Sequence, residues 1–142
     1  MHVPDPLAPG DDVVLGLAAH FAPNYRVLSI DPRRGQPYQV QAMVILATLN
    51  QFGFEKPILV GERLGCAAAL VLAAWNPGRI ARLVMIDLSD EPRSAQDSLE
   101  ARALRECPPN WPALRAAVQC PIVEVRWDGA TIENLWTHLQ IP

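Results

Sequence analysis

The 142-residue chain is predicted to fold as one α/β domain built on a mostly parallel sheet of about four strands. Three observations carry that expectation. Short β-branched, apolar runs alternate with longer segments of helical periodicity, the strand–helix–strand order of a parallel sheet. Some of these runs are apolar nearly throughout, as strands covered on both faces are. The first two end in Asp-Pro and in Gly, where a strand gives way to a loop.

Four strands are expected. Arg26 to Asp31 is the first, and Pro57 to Gly61 the second. Ala81 to Asp87 is the third. Pro121 to Trp127 is more mixed in polarity, which places it near an edge. Between them lie the helices. Asp11 to Phe21 opens on paired aspartates, which suit a helix N-terminus, and carries Val14, Leu17 and Ala18 on one side. Tyr38 to Phe52 presents a broad apolar stripe of Val40, Met43, Val44, Ala47 and Leu49. Leu64 to Trp75 is so rich in alanine and leucine that it is expected to be buried on most sides before Asn76-Pro77-Gly78 stops it. Residues 89–118 read as a charged, helical connecting excursion. Within it Ser94 to Arg105 is amphipathic on Leu99 and Leu104, Pro108-Pro109 breaks the chain, and Trp111 to Val118 forms a short helix. Thr131 to Leu139 closes the domain.

Composition excludes several classes. Half the residues are hydrophobic and 19% are charged, an ordinary globular balance. A net charge of −3 offers no footprint for nucleic acid. The three cysteines, Cys66, Cys107 and Cys120, are spaced like neither a zinc site nor a disulfide framework. Reduced thiols, a cytoplasmic location and no metal or cofactor are the expectation. The start Met-His-Val-Pro-Asp-Pro lacks the build of a signal peptide. The longest apolar run, Cys66 to Trp75, falls short of the roughly 20 residues that cross a bilayer, so no transmembrane segment is expected.

Gly61-Glu62-Arg63-Leu64-Gly65 is the segment with the most chemical content. It follows an apolar strand and opens a buried helix, the setting of the nucleophile elbow G-x-S-x-G. Its glycines answer a sharp turn in which side chains would collide with neighbouring backbone. From Pro57 through Asp87 the chain resembles the elbow strand, elbow helix and next strand of the α/β-hydrolase family. Tyr25 to Gly35 resembles that family's strand ending in Asp-x-Arg-Gly, and Val118 to Arg126 its later strand beginning near Cys-Pro. His2 resembles the start of its His-Gly oxyanion loop. The resemblance implies an incomplete, three-layer α/β-hydrolase-like domain.

The departures from the family decide the functional expectation. Arg63 stands at the nucleophile position, and a guanidinium is cationic at every accessible pH and cannot attack a carbonyl. Val3-Pro4 follows His2, and a proline lacks the amide N–H that an oxyanion hole uses. His138 lies in the closing helix, not after a last strand. Asp87 and Asp128 sit near strand ends where a triad acid can lie, but an acid alone performs no triad chemistry. The family order also puts a strand before His2, between the strands ending at Asp31 and Gly61. With Met1 where it is, that central strand is expected to be absent, its slot closed up or filled by another chain.

The reading from sequence is therefore a pseudoenzyme. It would act as a binding or structural subunit of a homo- or hetero-oligomeric complex, with a protein partner. The alternative is an esterase-like hydrolase that uses Cys66 or is completed by a partner chain. Arg63 has two readings: an anion contact beside the amides of a helix N-terminus, or a structural pairing with Glu62, Asp87 or a partner's acid. Cys66 is either a displaced nucleophile or core packing. Trp111, Trp127 and Trp136 form either a partner surface or part of the core.

Overall fold

A computed structural model of the chain describes residues 2–3 (backbone only), 19, 21–28, 30, 37–88, 102, 104–106 and 109–126. Four strands form one sheet in the order β1-β2-β3-β4: β1 His2–Val3, β2 Ile58–Glu62, β3 Arg82–Ile86 and β4 Ile122–Val125. Every neighbouring pair is parallel. The mixed-polarity β4 is an outer strand of this order.

Three helices are described from end to end: α1 Tyr38–Gln51, α2 Gly65–Trp75 and α3 Trp111–Ala117. The end of α1 shows why it stops. Gly53 takes φ +73°, a conformation that costs a glycine little. Phe54 N–H then reaches back to Leu49 O at 2.9 Å and Gly53 N–H to Asn50 O at 3.2 Å. These two bonds satisfy carbonyls that a helix end leaves open. Arg79 adds to this closure by donating to Asn50 Oδ1 and to the Phe54 and Glu55 carbonyls. The start of α3 is capped by Asn110, whose side chain accepts from Ala113 N–H at 3.2 Å, a bond worth about 1 kcal/mol.

Period-2 alternation divides the sheet between two cores. Leu59, Leu83 and Met85 point into the larger one, with Ala42, Ile45 and Leu49 of α1 and most of α2. Val60, Val84, Ile86 and Val125 face the other way, with Phe21, Ile58 and Val123 packed on them. Both faces are thus covered, which explains why β2 and β3 are apolar nearly end to end. Helix α2 is buried from Gly65 to Ala74, as its composition predicts. The end of the connecting excursion packs in as well: Leu104 is buried against Leu64 and Ala67 beside the half-buried Trp111. Of the expected helix 11–21, Ala19 and Phe21 are described, and both are helical.

Two expectations are corrected. The run Arg26 to Asp31 is not a strand where it is described: Arg26–Leu28 and Ile30 are irregular, and Ser29 and Asp31 lie outside the described residues. The second concerns the slot beside β2. It is neither closed up nor empty, because His2 pairs with Val60 and Val3 with Gly61. Two residues of strand fill it before Pro4, which has no N–H to continue a ladder. The Arg26 run is held by other means: Ile30 is buried, Leu28 packs on the core, and the Arg26 guanidinium stacks 4.3 Å over Phe54 while donating to Phe52 O. Strand propensity alone does not place a run in a ladder.

Candidate functional site at the carboxyl end of the sheet

The site is built where β2 turns into α2. Gly61, in the last turn of the strand, lies so close to the helix that a Cβ there would meet Ala69 Cβ at 3.0 Å, Cys66 Cα at 3.1 Å and Gly65 O at 3.2 Å. Two of these neighbours are backbone atoms, which cannot swing aside as a side chain can. Glycine at 61 is thus required by helix–strand contact.

Arg63 occupies the turn itself with φ +50°. That left-handed value costs an L-residue with a Cβ on the order of 1 kcal/mol. Three bonds hold it. Arg63 N–H donates to Ile86 O at 2.9 Å and Cys66 N–H to Arg63 O at 3.1 Å. The Cys66 thiol donates to the same Ile86 carbonyl at 3.5 Å. Next to it Asp87, at the end of β3, also has a left-handed φ of +51° and donates its N–H to Val125 O at 2.8 Å. Two strained non-glycine residues thus stand side by side on adjoining strand ends.

The charges here are unevenly exposed. Glu62 is 1% exposed, and its Oε2 and the Arg63 Nε are both shielded from solvent. Arg63 and Asp87 are half-buried. Cys66 is completely buried, and burial is the main cause of its raised pKa. The hydrogen bond to Ile86 O pulls the other way, and the negative charges of Glu62, Asp87 and Glu124 raise it further. A thiol held so firmly in its protonated form is a packing group and a weak donor, and the thiolate needed for attack is suppressed.

The elements bring some of the expected residues together and leave others apart. Gly61, Glu62, Arg63, Leu64, Gly65, Cys66 and Asp87 converge on one end of β2 and β3. His2 reaches the same end through β1, with Val3 level with Gly61. Asp128, Trp127, Trp136 and His138 lie outside the described residues. Trp111 is packed against both the main core and the Leu64–Ala67–Leu104 cluster. Among the described residues no group of three His, Cys, Asp or Glu side chains is placed to hold a metal ion. No described helix is long and apolar enough to cross a membrane. Of the expected apolar stripe on α1 only Leu49 is buried, while Val40, Met43, Val44 and Ala47 are exposed, and Trp75 at the end of α2 is exposed as well. The signal was there for Met43, in a helix of 14 residues without one charge.

The arrangement defines an α/β domain with a strand–turn–helix elbow at the carboxyl edge of a parallel sheet. No protein-family model matches the chain, and no solved structure matches it. Among curated proteins it is similar to one from Haemophilus influenzae named "Putative esterase/lipase", with 30% identity over 92 residues. The match covers 58% of this chain and 32% of that protein, so the chain spans about a third of its relative's length. A distant, hydrolase-like relationship is what this supports.

Two measurements check the site. Arg63→Gly should be more stable than Arg63→Ala by about 1 kcal/mol in urea unfolding, the reverse of the usual order, because only glycine relieves the positive φ. For Cys66 the folded pKa lies above the ordinary thiol value of 9.0, so its contribution is full below that value and declines as pH rises past it. The stability advantage of wild type over Cys66→Ala should therefore shrink by about 1.4 kcal/mol per pH unit above that value. Denaturant titrations from neutral pH to about pH 10 would read it.

Proposed function

We propose that this chain is an α/β-hydrolase-like domain that has lost catalysis and serves as a binding or structural subunit of a protein assembly. The observation that carries the reading is Arg63 at φ +50° in the turn between β2 and α2, the place where a hydrolase presents its nucleophile. The backbone strain that projects a nucleophile is kept there on a side chain that cannot act as one. Cys66, the nearest other candidate, is buried and held protonated. The similarity to a protein named for esterase and lipase activity supports the hydrolase ancestry.

That same name favours a second reading, an esterase-like hydrolase whose missing groups come from a partner chain. The two readings separate on one experiment. Neither the purified chain nor the assembly isolated from its own cells is expected to turn over p-nitrophenyl esters or to carry a fluorophosphonate label on this chain. The second reading requires the assembly to do so. Turnover or covalent labelling that survives repurification would refute the non-catalytic reading. Native mass spectrometry of the protein isolated from its own cells should show a species heavier than the 15.6 kDa chain. A species of that mass alone would remove the assembly role.

A further inference from the structure

Residues 21–28 and 30 join the two cores of the molecule. Phe21 packs on the cluster of Val60, Val84, Ile86 and Val125, on one face of the sheet. Leu28 and the buried Ile30 pack on the opposite face, with Ala42, Ile45 and Leu49. The backbone between Phe21 and Leu28 therefore rounds the sheet, and it has little length in which to do so. Phe21 O accepts from Tyr25 N–H at 2.8 Å and from Asn24 N–H at 3.1 Å, and the Phe21 and Tyr25 rings meet edge to face 5.6 Å apart. This turn advances only about 6 Å at helical rise. From Tyr25 to Leu28 an extended chain adds at most about 11 Å.

The middle of the crossing has its own anchor. Asn24, Tyr25 and Arg26 are exposed, yet the Arg26 guanidinium lies 4.3 Å over the Phe54 ring and donates to Phe52 O. Both partners belong to the turn between α1 and β2, to which Arg79 also donates. That turn feeds the amino end of β2, whereas the elbow follows its carboxyl end. We infer that residues 21–28 and 30 form a strap, fastened by Arg26, that leaves both faces as one unit while the sheet and the elbow stay folded. A tie with so little slack transmits the loss of either end to the other. None of the strap's described residues is in a strand, and segments without a ladder open at lower free energy than the strands and helices of a core. The elbow has separate fastenings, since Arg63 N–H and the Cys66 thiol both donate to Ile86 O. Release of the strap bares apolar surface on both faces at once and leaves that carbonyl engaged.

Thiol labelling of the full chain, read residue by residue with peptide mass spectrometry, tests this. Ile30→Cys places a thiol where the strap meets the main core, and Cys66 reports on the core itself. The introduced thiol should react with an alkylating reagent at least about tenfold faster than Cys66. Its rate should also depend less steeply on urea, because that slope follows the surface exposed. Equal rates with equal urea dependence would overturn a separately opening strap. Adding Arg26→Met, which removes the cation and keeps an apolar stem, should raise the introduced thiol's rate about tenfold. Adding Phe21→Ala, on the other face, should raise it as well. No response to Arg26→Met would overturn the fastener. No response to Phe21→Ala would show ends that open independently and overturn the single unit. Leu28→Cys, at a half-buried position, carries the same measurements where Ile30→Cys fails to fold.

Discussion

The closeness of α2 to β2 at Gly61 is the constraint on which the rest of the structure depends. With 3.0 to 3.2 Å left for a Cβ against Ala69, Cys66 and Gly65, the helix is pressed onto the strand immediately beyond the turn. That distance sets the sharpness of the turn, and the sharpness sets the left-handed φ of Arg63. It also brings Cys66 within reach of the Ile86 carbonyl, which receives the Arg63 N–H as well. One carbonyl on β3 thus gathers the turn and the first turn of the helix. Small side chains along α2 allow the same approach over its whole length, which is why Gly65 to Ala74 can all be buried.

Much of this was legible in the sequence. The alanine-rich stretch from Leu64 to Trp75 had only one way to be satisfied, burial on several sides, and the apolar runs of β2 and β3 implied cover on both faces. The spacing Gly61…Gly65 implied a tight turn between them. The Arg26 run was not legible, because its β-branched residues report suitability for a ladder and say nothing of whether a partner strand is available. The two-residue strand at His2–Val3 was equally hidden. A pair of residues ending at a proline carries no period, and only the register with Val60 and Gly61 reveals it.

The candidate site divides along the same line. Which residues would gather at the elbow followed from their order along the chain. The burial of Glu62, the left-handed backbone of Asp87 and the suppressed ionisation of Cys66 did not. Each of these comes from contacts between segments distant in sequence: Cys66 with Ile86, Asp87 with Val125. These contacts do not depend on the side chain at position 63, since they use main-chain groups and one thiol. The proposed α/β-hydrolase-like reading of the chain rests on that backbone frame.

The burial of Cys66 has a practical consequence for following the molecule in solution. Its sulfur meets no solvent while α2 sits on the sheet, whereas Cys120, in the loop before β4, is only half-buried. The two thiols therefore sample different events. An alkylating reagent reaches Cys120 through small movements of a loop, but it reaches Cys66 only when helix and sheet part company. The slower of the two labelling reactions is a clock wound into the core, and its ticks are the openings of the fold.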